Sequence, residues 1–123
     1  MAYSTAYETA FCALAKRMHF ERHNSPNTAI ALWKTVIYEL EAGLCPWELD
    51  NDLDVVREPI ATFLVADDLV VFPEHIEFIN CIESLDGKFK ELTVEHPLDG
   101  PKRIDFRWWQ DRIPSHWVEL LRK

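Results

Sequence analysis

Residues 17 to 26, RMHFERHNSP, place His19 and His23 four positions apart. On a helix that spacing stacks two imidazoles on one side, where they can share a metal ion. The stretch HFERH is not HExxH. Its Glu stands third, whereas zinc hydrolysis needs a Glu beside the first His to act as base. Cys12 cannot complete a site on the same helix, because seven residues separate it from His19 by roughly 10 Å. A metal-binding protein or small metal-dependent enzyme built on His19 and His23 is therefore the minority reading. The simpler role is to finish a helix, where positive charge suits the dipole.

Other chemistry-bearing patterns are weaker. ELDNDLD sets Asp50, Asp52 and Asp54 at the first, third and fifth positions of a calcium loop. Val55 stands at the sixth position and Ala61 at the twelfth, where such a loop needs Gly and Glu. Cys12, Cys45 and Cys81 form no CxxC. None adjoins a His or a glycine-rich elbow, so reduced structural thiols in a cytoplasmic protein are expected. Gly43, Gly87 and Gly100 stand alone, which gives a phosphate-cradling loop no support. No catalytic residue and no cofactor are assigned.

Charge is the more telling property. The chain of 123 residues carries a formal net charge of −8. Between Glu39 and Glu77 eleven acids face one base, Arg57. Glu39, Glu41, Glu48, Asp50, Asp52, Asp54, Glu58, Asp67 and Asp68 are the candidate surface for a basic protein partner. Such a surface repels nucleic acid and anionic lipid, so no direct binding to either is expected. From Pro101 onward six bases meet three acids, and the stretch is rich in Trp. Arg107, Trp109 and Arg112 there could form an interface hot spot, or the two-fold contact of a homodimer.

These residues need elements to hold them. A helix is expected from about Ser4 to Arg22, opened by a Thr5-x-x-Glu8 capping box and lined by Tyr7, Phe11, Leu14 and Met18. Ser25-Pro26 starts a second helix, which runs to about Ala42 along Ile30, Trp33, Ile37, Leu40 and Leu44, with Gly43 as its stop. Leu49, Leu53, Val56, Ile60 and Phe63 repeat at helical steps around Pro59, which either kinks one helix or divides it in two.

Asp86-Gly87 then suggests a hairpin, pairing Glu83 with Lys90, Cys81 with Leu92 and Ile79 with Val94. The competing reading is a helix from Pro73 to Leu85. RIDFRWW alternates as a third strand, with Trp108 inward. A short helix from His116 to Leu121 closes the chain. The expected fold is α+β, a single domain over residues 1–123: about three N-terminal helices on a three-stranded antiparallel meander, with a short C-terminal helix. A mostly α fold is the alternative. No apolar run is long enough for a membrane span.

The function expected from these features is a non-enzymatic, acidic protein-binding module. Size and charge place it beside inhibitors and neutralisers of the immunity or phage-antagonist type, some of which mimic nucleic acid. No motif narrows that class.

Overall fold

The computed structural model describes residues 3–43, 51–95, 108–109 and 112–115. The first helix, α1, spans Thr5–Arg17. Its cap is Ser4, whose hydroxyl accepts the Tyr7 N–H, so Thr5 lies inside the helix and the expected Thr5–Glu8 capping box does not form, since the third helical position is Tyr7. The helix also ends five residues early. His19 turns left-handed at φ 61°, its N–H bonds Lys16 O, and the Phe20 N–H reaches back to Ala15 O. This is a Schellman closure with His in the place glycine usually takes. A 3-10 turn, Glu21–His23, follows.

Helix α2 spans Pro26–Glu41, with Ser25 accepting the Thr28 N–H and Pro26 at its start. Gly43 lies just beyond its end at φ 101°. The expected seam holds: Trp33, Ile37 and Leu40 are buried, and Ile30 packs partly against them. Leu44 and Leu49 lie outside the described residues.

Of the two expected outcomes, a kink or a division, Pro59 does not divide its helix. A π turn, Leu53–Arg57, runs straight into helix α3, Glu58–Val65. Proline lacks the N–H of a regular helix and its ring crowds the carbonyl four residues back. The wider π register, with the Glu58 N–H on Leu53 O, takes that strain. A single turn, α4, Asp67–Val70, leads to helix α5, His75–Leu92.

Helix α5 overturns the expected α+β fold. It runs through Asp86 and Gly87 without a turn, so the hairpin does not exist and the architecture is mostly helical. The competing helix was the better reading, although it stopped short at Leu85. Helical spacing explains the outcome: Phe78, Ile82 and Phe89 are fully buried on one face, and Leu85 is half-buried beside them. Strand pairing is confined, among the described residues, to two three-residue segments. These are β1, Thr93–Glu95, and β2, Arg112–Pro114, which pair antiparallel with Val94 opposite Ile113. They form a clip, not a meander. Most of the expected third strand and the His116–Leu121 helix lie outside the described residues.

One connected core joins these helices. At one end Phe11 stacks on Phe63 with centroids 4.1 Å apart and meets Phe78 edge-on. At the other, Trp33 and Trp108 flank Phe89.

Candidate functional site

His19 and His23 do not share a helix face. The left-handed turn at His19 leaves it exposed, while His23 is buried. The Nε2 of His23 lies 2.8 Å from Val56 O, and since a carbonyl only accepts, Nε2 carries the proton. The ring packs beside Phe63 and Phe20. Burial lowers its pKa; the Val56 bond opposes that shift, and nearby Arg22 adds to it. His23 thus pins the π turn to the corner between α1 and α2. Among the described residues no group of three or more His, Cys, Asp or Glu is placed to hold a metal ion. The calcium-loop pattern also finds no support in the backbone: Asp52 and Asp54 stand in a helix, and Asp50 lies outside the described residues.

The π turn ends at Arg57, the base surrounded by acids in the sequence. Its side chain is 2% exposed and reaches Asp86 on α5. Nε and Nη2 donate to the two carboxylate oxygens at 3.0 and 2.9 Å, a bidentate pair. Trp33 Nε1 donates to the same carboxylate at 3.0 Å. The guanidinium lies 4.2 Å from the Trp109 ring centre, 5.7 Å from Trp108 and 5.8 Å from Trp33. Its Nη1 has no hydrogen-bond acceptor among the described residues, and the surrounding ring faces add to the attraction that Asp86 supplies. Asp86-Gly87 had signalled a turn; the carboxylate is instead the counter-ion of the core.

The expected aromatic and basic hot spot is drawn into this centre. Trp109 is 4% exposed beneath Arg57, and Trp108 is the half-buried one, the reverse of the strand-based expectation. The pair forms a turn, not an alternating strand, so both rings pack inward, at 89° to each other. Arg112 is half-buried. It donates to Thr93 Oγ1 at 2.8 Å and Thr93 O at 3.1 Å, fastening the β clip. Arg107 lies outside the described residues.

A third buried polar pair lies at the opposite end. His75 Nε2 donates to Leu64 O at 3.1 Å, which leaves Nδ1 to accept the Tyr7 hydroxyl at 2.6 Å. Burial drives the Tyr7 phenol far above its ordinary range. The Tyr3 phenol rises to about 12, also through burial first, with Cys81 and Glu77 adding to it. Tyr7 and His75 are sealed in the core, so neither is open to a substrate.

The acids take a different place. Glu39, Glu41, Asp54, Asp67, Asp68 and Glu77 are exposed, while Asp52, Glu58 and Glu74 are half-buried. Two are met by bases from other segments: Asp68 by Arg17 at 2.9 Å and Glu41 by Lys88 at 3.8 Å. Glu48 lies outside the described residues. What sequence reading missed is an exposed aliphatic group between these acids: Val65, Val70, Val71 and Ile76. The run LVVFP contained the signal. Apolar residues there outnumber what a four-residue helix can bury on one side.

No helix among the described residues is long and apolar enough to cross a membrane. Cys12 and Cys81 are unpaired and half-buried, and Cys45 lies outside the described residues. Comparison with protein-family models, curated proteins and solved structures finds no match. The inhibitor and nucleic-acid-mimic readings gain no support from the structure or from these comparisons.

Proposed function

We propose that this is a helical, non-catalytic module that binds a basic protein partner through its exposed acids. The observation that carries the reading is the fate of Arg57. The one base among eleven acids is buried, and Asp86 neutralises it from within. Every charge that this stretch offers to solvent is therefore negative. Steering by such a face speeds encounter with a cationic surface and disfavours nucleic acid. The closed Tyr7–His75 and Arg57–Asp86 centres favour binding over catalysis. A cytoplasmic setting belongs to the same proposal, and unpaired Cys12 and Cys81 support it.

Retention from host extract tests this. The immobilised chain should hold a basic protein at low salt and release it at high salt. A variant with Asp54→Asn, Asp67→Asn and Glu77→Gln should retain much less. Equal retention by the variant, or retention indifferent to salt, would count against the proposal.

A further inference from the structure

We infer that the segment from Val65 to Ile76 is a docking strip for a basic amphipathic helix of a partner protein. The inference rests on the acidic-module reading above and assigns that partner its place and chemistry. Val65 is 76% exposed, Val71 75%, Ile76 62% and Val70 51%. They occupy the end of α3, the turn α4 with its following residue, and the first turn of α5. These three pieces are in direct contact in sequence order. Four open aliphatics on so short a path leave apolar surface in water that a partner could cover.

Charge selects among the occupants. The ionic residues between Val65 and Ile76 are Asp67, Asp68 and Glu74, with His75 buried; Glu77 follows directly. Arg17 stands at the rim, bridged to Asp68. Anionic lipid and nucleic acid are repelled by such a border. A second copy would bring the same patch face to face with itself, acid against acid. A helix with aliphatics on one face and Lys or Arg on both flanks satisfies the strip and its border together.

The test uses fluorescence anisotropy with a Leu/Lys amphipathic peptide of about 18 residues, five helical turns. An oligolysine of equal charge is the comparison. The chain should bind the Leu/Lys helix at least about tenfold tighter than oligolysine at low salt. The double variant Val71→Ser, Ile76→Ser should lose that difference and keep its oligolysine binding. Both positions are exposed, so its denaturation midpoint should hold; Val65→Ser alone serves if it does not. Equal affinity for the two peptides, or a difference that survives the serine variants, overturns the docking strip. If binding to both is still weakened by salt and by Asp67→Asn with Glu77→Gln, the acidic-module reading stands without it. If neither peptide binds at low salt, both fall. A dimer by light scattering that the serine variants dissolve, with no peptide binding, would make the strip a self-contact and also overturn the inference.

Discussion

Arg57 and Asp86 lie 29 residues apart and meet in the core with three hydrogen bonds on one carboxylate, Trp33 supplying the third. Breaking a buried pair leaves a lone charge, which costs more than the pair contributes. Arg57→Met should therefore destabilise by about 3–5 kcal/mol in urea unfolding. Arg57→Met with Asp86→Leu should cost less than Arg57→Met alone, because no charge is then stranded. A double variant worse than the single would contradict this account of the centre. His23 gives a pH dependence. Its folded pKa is lowered, so above the ordinary value of about 6.5 both states are neutral and stability is flat. Below it the unfolded chain takes up a proton that the folded chain resists, and stability falls with pH. His23→Gln should be less acid-sensitive than the parent when midpoints at about pH 7.5 and about pH 5.5 are compared. Identical slopes would show that His23 does not carry the effect.

At the scale of elements, Gly87 separates the helix from the hairpin by experiment. It lies inside α5, exposed, and an added Cβ would meet nothing within 4 Å. Gly87→Ala should raise stability by about 0.5–1 kcal/mol, the ordinary gain in an open helix interior. A loss would point to the turn that Asp-Gly suggested. The caps and seam of α2 were largely legible, because Ser25-Pro26, Gly43 and the spacing of Trp33, Ile37 and Leu40 are local signals; on α1 Tyr7, Phe11 and Leu14 are buried as expected, but Met18 is exposed and the cap is Ser4. The early end of α1 was not, because His19 takes a left-handed conformation that glycine would have announced. Asp86-Gly87 misled for a long-range reason. The carboxylate is claimed by Arg57 and Trp33, and neither claim leaves a trace in neighbouring residues. Trp109 was misplaced in the same way: only the fold reveals the buried cation against its ring.

For the whole molecule, the structure adds one fact about charge. The net charge of −8 is unchanged, but the base inside the acid-rich stretch is withdrawn from the surface. The candidate site was thus half legible. Its acids could be read directly; its exposed aliphatics emerged only once α3, α4 and α5 showed which apolar residues the core leaves out. The proposed binding through these acids would be screened by ions, since the Debye length shrinks from over 10 Å to a few Å across accessible salt concentrations. The most direct measurement is the affinity of the purified chain for the basic partner it retains, titrated from about 0.05 to about 0.5 M salt. The acidic-module account predicts that affinity falls at least about tenfold over that range. An affinity that stays constant would contradict it.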